Sequence, residues 1–164
     1  ALEKMTDAKE IVKKAIFYET QLHDINMAEQ YYKKALKIDP NHPWANSDYA
    51  VFLNKQGKKE LAKKYYERAL ELDPTDAITH NNYGVLLNEK GEKEQDKAIF
   101  HYHQAIMNKP SYASPYYNLG KLLLEIGKEK AAIHYFRHAV TLNPKHWPSN
   151  LPLSILGSKD EETS

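Results

Sequence analysis

Histidine and asparagine are the side chains here whose type and spacing could do chemistry. His134 and His138 stand four residues apart, so on a helix they share a face and could hold a metal between two imidazoles. No third ligand accompanies them, and two nitrogens make a poor metal site. His101 and His103 flank Tyr102. On a helix that spacing turns them apart from each other and away from any core that Tyr102 enters. Both pairs read as surface side chains, and neither a metal nor a cofactor is expected. The lysine pairs Lys33–Lys34, Lys58–Lys59 and Lys63–Lys64 read as solvated faces. Nothing resembles a phosphate loop, a nucleophile elbow or a pair of catalytic carboxylates, so no enzyme is expected. Asparagine is the better candidate, because an amide both donates and accepts and can hold a peptide backbone without reading its side chains.

The elements that must position these groups form a repeat. The stretch Gly57 to Pro74, GKKELAKKYYERALELDP, opens after a turn glycine, carries Ala62, Tyr66 and Ala69, and closes on Asp73-Pro74. Spacings of four and three put the three side chains on one helix face. The alanines let a second helix approach, and the ring fills the gap between them. Pro74 lacks the N–H that a continuing helix needs and drives Asp73 into extended backbone. The set recurs as Ala28, Tyr32, Ala35 and Pro40; as Ala98, Tyr102, Ala105 and Pro110; and as Ala132, Phe136, Ala139 and Pro144. Successive prolines lie 34, 36 and 34 residues apart. The two extra residues of the middle interval fall in the polar run EKEQDK after Gly91, where an insertion is tolerated.

A first helix precedes each copy. One runs from Pro43-Trp44-Ala45 through Tyr49, Ala50 and Leu53 to Gly57; the next carries Tyr83-Gly84 and Leu87 and ends at Gly91; the last carries Tyr116, Leu119-Gly120 and Leu123 and ends at Gly127. The glycines suit the C′ position. The opening helix, predicted over residues 3–20 with Ile11, Val12, Ala15 and Ile16 on its apolar side, is followed by a loop without glycine. Its partner is predicted over about Met27 to Ile38.

With 164 residues, 41% of them hydrophobic, the chain can bury a core between neighbouring units, for which about three repeats suffice. No stretch approaches the ~18 apolar residues of a membrane span, and no signal peptide opens the chain. Cysteine is absent, as is any Asn-x-Ser/Thr acceptor. Together these features predict an intracellular, cytoplasmic protein with no membrane role. The 23 basic residues include only two arginines, Arg68 and Arg137, at a net charge of +1. Bidentate recognition of phosphate or guanine favours arginine, so no nucleic acid is expected as a partner.

These residues resemble the tetratricopeptide repeat. The match consists of Tyr49-Ala50, Tyr83-Gly84 and Leu119-Gly120 in first helices, a leucine three residues on, a turn glycine, and the alanine, aromatic and proline sets of second helices. It covers about residues 9–146 as four repeats, 9–42, 43–76, 77–112 and 113–146. The resemblance implies an all-α, right-handed superhelical solenoid of antiparallel hairpins, about eight helices in all, spanning 1–146. Residues 147–157 are then an apolar capping tail, and 158–164 a disordered end. In the first repeat, Ala15 or Ile16 takes the close-packing position, which leaves open whether Ile16 or Phe17 faces the groove.

In that family the inner wall comes from the first helices and binds peptides or helices of partner proteins. Carried over, the wall positions are Lys13; Trp44, Asp48, Val51 and Asn54; Ile78, Asn81, Asn82, Val85 and Asn88; and Tyr117, Asn118 and Lys121. Asn82 and Asn118 are equivalent, like the asparagine ladder of the O-linked N-acetylglucosamine transferase, with Asp48 interrupting it. Ser47, Lys55, Glu89, Ser114, Leu124 and Glu125 belong to the same carried-over wall. The carboxylate clamp of cochaperones is not matched: neither frame of positions supplies the cations that paired bonds to a carboxylate need. The expected function is a non-catalytic protein–protein interaction scaffold. The alternative is the substrate-recruiting arm of a larger enzyme such as a glycosyltransferase. Beyond Lys145 the apolar Trp147, Leu151, Leu153, Ile155 and Leu156 either cap the last hairpin or dock on another molecule, self-association through a second copy's groove included.

Overall fold

The computed structural model of the chain describes residues 7–145 and Leu151. The expected capping tail (Leu151 apart) and the terminal run 158–164 lie outside the described residues. Among those residues the chain is an all-α helical repeat solenoid without strands. Its helices are α1 (Ala8–Thr20), α2 (Ile25–Ile38), α3 (Pro43–Lys55), α4 (Lys59–Leu72), α5 (Ala77–Glu89), α6 (Gln95–Asn108), α7 (Ala113–Glu125) and α8 (Glu129–Leu142). The two-residue insertion becomes a 3-10 turn, Glu92–Glu94, placed just before α6.

Helix ends follow from local chemistry. Asp7 and Asp24 accept the Lys9 and Met27 amides at 3.0 Å, and His42 Nδ1 accepts Ala45 N–H at 3.2 Å. The residue before each repeat proline is extended: Asp39, Asp73, Lys109 and Asn143 all have φ between −137 and −146°. The pyrrolidine ring disfavours helical backbone at the residue before it. The turn between α1 and α2, which has no glycine, bends at His23, with φ 53°.

The packing divides the chain between Thr79 and His80 into two compact units. In the first, α1 packs on α2 and α3 on α4. Ile11, Val12, Ala15, Ala28, Tyr32 and Ala35 are buried together with Tyr49, Ala50, Phe52, Leu53, Ala62, Tyr66 and Ala69. The Tyr32 ring lies 5.7 Å from Tyr49 and 5.2 Å from Phe52. In the second unit α7 packs on α6 and on α8. Its core holds Leu86, Leu87, Ala98, Tyr102, Ala105, Leu119, Leu122, Ala132, Phe136 and Ala139. Here two glycines are required by close approach: a Cβ on Gly84 would lie 2.6 Å from Tyr102 Cε1, and one on Gly120 would lie 2.9 Å from Phe136 Cδ1.

Each second helix also places a ring just before its core aromatic, against the first helix of its hairpin. Tyr31 meets Tyr18 at 5.2 Å, Tyr65 meets Tyr49 at 4.8 Å, His101 meets Tyr83 at 4.6 Å and Tyr135 meets Tyr116 at 6.5 Å.

Candidate functional site

In the first unit α3 offers one row. Trp44, Asp48, Val51 and Lys55 follow each other at four, three and four residues and so share a face. Trp44 is 49% exposed; Asp48, Val51 and Asn54 are half-buried, and Lys55 is exposed. Lys9 Nζ of α1 stands 4.9 Å from the Trp44 ring, a cation–π distance. At the other end Lys55 Nζ reaches Glu19 at 3.1 Å, and the same carboxylate accepts the Tyr32 hydroxyl at 3.0 Å. That bond adds to burial, the larger cause, in pushing the Tyr32 phenol up. Lys13 is exposed and pairs with Glu10 at 3.0 Å. Ala15 is fully buried and takes the close-packing position, while Ile16 and Phe17 are both exposed. Ile78, in the first turn of α5, is 50% exposed.

Asp48 differs from its neighbours. It makes no hydrogen bond or ion pair among the described residues. Burial, followed by the like charges of Asp76 and Glu19, pushes its carboxyl up to about 6. Ser47, beside it in sequence, is no wall residue: it is buried, with Oγ 2.7 Å from Thr79 Oγ1.

In the second unit Asn118, one of the two asparagines of the expected ladder, turns its amide to Asn81. Asn81, expected on the wall, is buried. It donates to the Tyr112 hydroxyl at 3.3 Å and accepts from Asn118 Nδ2 at 3.0 Å. Asn81 therefore links α5 to α7 from within the unit. Asn81 and Asn82 are adjacent, and their side chains point about 100° apart, so the contacts of the neighbouring helix decide which of them turns outward. That one is Asn82, half-buried and without a side-chain hydrogen bond among the described residues. Val85 and Asn88 are also half-buried. Asn88 and its counterpart Asn54 each bury Oδ1 with no hydrogen-bond partner. On α7 Tyr117 is half-buried against Phe136, with ring centroids 5.7 Å apart, and the exposed Lys121 sets Nζ 5.1 Å from its ring.

The histidines hold another correction. His101 does not turn away from the interior: its Nδ1 lies 3.0 Å from Nδ1 of the buried His80. Burial, followed by the charge of His80, lowers His101 to about 4. Its place in the repeat is that of Tyr31, Tyr65 and Tyr135, a ring position whose recurrence in the sequence is the signal that could have found it. His134 is exposed at a ring distance of 5.0 Å from His138, which stacks on Tyr116 at 5.2 Å. Among the described residues no cluster of three His, Cys, Asp or Glu side chains could hold a metal. A cavity of about 330 Å³ lies between Lys109, Ser111, Tyr112, Ser114 and the end of α8 at Leu142 and Asn143. Of its lining, only Ser114 was expected on the wall.

Stacked hairpins with small residues at each helix contact and an aromatic between them define a helical-repeat interaction scaffold. Family models described as tetratricopeptide repeat match residues 19–81, 65–99 and 113–146. The chain belongs to the tetratricopeptide repeat family. No curated protein matches it significantly. Among solved structures, PilF of Pseudomonas aeruginosa is 28% identical with a TM-score of 0.76, over 84% of this chain and 61% of that one. MamA of Desulfovibrio magneticus RS-1 is 23% identical with a TM-score of 0.73, over 89% of this chain and 80% of that one. The O-GlcNAc transferase of Thermobaculum terrenum is 23% identical with a TM-score of 0.73, over 82% of this chain and 26% of that one. The last two likenesses are of fold alone.

Proposed function

We propose that the chain is a non-catalytic scaffold that binds an extended or helical segment of a partner protein on the walls formed by its first helices. The observation that carries this reading is the α3 row, where Trp44, Asp48 and Val51 share a face and none is fully covered by the chain itself. A large exposed ring beside half-buried apolar and polar groups is what a peptide needs for both affinity and orientation. Phe17 and Ile78, each about half exposed, add apolar area in the same unit. In the second unit Asn82, without a side-chain hydrogen bond among the described residues, leaves its amide for a peptide backbone.

The test is capture of partners by the full chain and by Trp44→Ala/Val51→Asp, with melting temperatures measured alongside. Loss of the captured protein at an unchanged melting temperature is expected. Equal capture by both would move the site off α3.

A further inference from the structure

On the face built from α1 and α3, every charge but one is answered among the described residues. Lys13 has Glu10, and Lys55 has Glu19. Asp76 caps α5, accepting Ile78 N–H at 3.1 Å and the Thr79 hydroxyl at 2.9 Å. Lys9 lies over Trp44. Among the described residues Asp48 alone has no partner, although it is half-buried and faces the like charges of Asp76 and Glu19, with the Tyr32 phenol of α2 also within electrostatic reach. A carboxylate partly withdrawn from water without a counter-charge is unfavourable in the folded chain, and a cation brought from outside relieves that cost. On the same helix face, Trp44 stands one turn before it and Val51 one turn after it. The three make an apolar track with a single negative charge at its middle.

We propose that the partner segment carries a lysine or arginine whose cationic head rests against Asp48 and whose methylenes lie along Trp44 and Val51. This rests on the peptide-binding reading above and narrows it, by charge complementarity, from any peptide to a basic one. The aliphatic stem of either residue suits an apolar track and its head suits the carboxylate. An acidic side chain in the same place would add a fourth carboxylate to Asp48, Glu19 and Asp76, which selects against it. The seat also has a pH signature. A bound cation favours ionised Asp48, whose carboxyl titrates at about 6 in the free chain. Affinity therefore rises as pH climbs through that value and levels off above it.

The test pans a random peptide library, displayed on phage, against the full chain and against Asp48→Asn. Peptides selected on the parent chain are expected to share a lysine or arginine at one position, and those selected on Asp48→Asn are expected to lack it. For one selected arginine peptide, replacing that arginine by citrulline is expected to weaken binding about tenfold on the parent chain, by fluorescence anisotropy. The same replacement should cost nothing on Asp48→Asn. Enriched peptides with no basic position, or a citrulline peptide that binds the parent chain undiminished, would overturn the basic-residue assignment and leave peptide binding standing. If no peptide is enriched on either chain, both readings fall.

Discussion

α3 and α7 hold the same place in their repeats, yet they use it differently. At one equivalent position α3 has Asp48, which no described residue satisfies, whereas α7 has Asn118, bonded at 3.0 Å to the buried Asn81. At the next position but one, α3 has Ala50 and α7 has Gly120, whose missing Cβ leaves room for the Phe136 ring. The contrast teaches that a shared helix position is not a shared role. In α7 the residue at this position holds its own unit together, while in α3 it bonds to no described residue.

The packing half of that contrast should give the largest effects. Gly120→Ala pushes a methyl against Phe136 and is expected to cost about 1–3 kcal/mol; Gly84→Ala does the same against Tyr102. Ala50→Gly, the reverse change on α3, should cost only about 0.5–1 kcal/mol, through chain entropy. Urea unfolding of the three variants checks this, and equal losses at Gly120 and Ala50 would erase the packing difference between the helices.

The polar half should follow. Asn118→Leu leaves Asn81 Oδ1 buried without its donor and is expected to cost about 1–3 kcal/mol. Asp48→Asn breaks no bond. It should be neutral to slightly stabilising at pH 7, which a destabilisation comparable to that of Asn118→Leu would contradict.

The smallest effects are pH-dependent and opposite in sign. Asp48 titrates at about 6, above its ordinary value, so the folded chain holds that proton more tightly than the unfolded chain. Its contribution is full below about pH 4 and is lost as pH rises through 6. His101, lowered to about 4, contributes above about pH 6.5 and loses that contribution as pH falls through 4. Asp48→Asn should therefore remove a fall in stability between pH 4 and 6, and His101→Gln should remove a rise over much the same range. Melting curves at half-unit steps would show both; a profile unmoved by either variant would mean that the burial of these groups does not reach their protons.

Much of the fold was legible in the sequence. The recurring alanines, aromatics and prolines marked the second helices, and Tyr102 and Phe136 are buried where the spacing put them. The helix stops before Pro40, Pro74, Pro110 and Pro144 are likewise written into the backbone of proline itself. The candidate walls were legible in part. Lys13, Trp44 and Ile78 are exposed, whereas Asn81 is buried because Tyr112 and Asn118 lie opposite it. Nor did the flanking of Tyr102 reveal His101, since a side chain at the border of a helix contact goes inward or outward according to what the neighbouring helix places opposite it. His80 and Tyr83 are what it meets.

By itself the amino-acid order determined the period, the helix ends and the packed face, because these depend on spacings of three and four residues and on the geometry of proline and glycine. Tertiary structure alone decided which asparagine is a strut, which histidine lies inside and which carboxylate is left without a partner among the described residues. Those outcomes turn on partners 20 to 40 residues away in sequence, such as Asn81 for Asn118 and His80 for His101, and only folding brings such partners within the few ångströms over which hydrogen bonds and desolvation act.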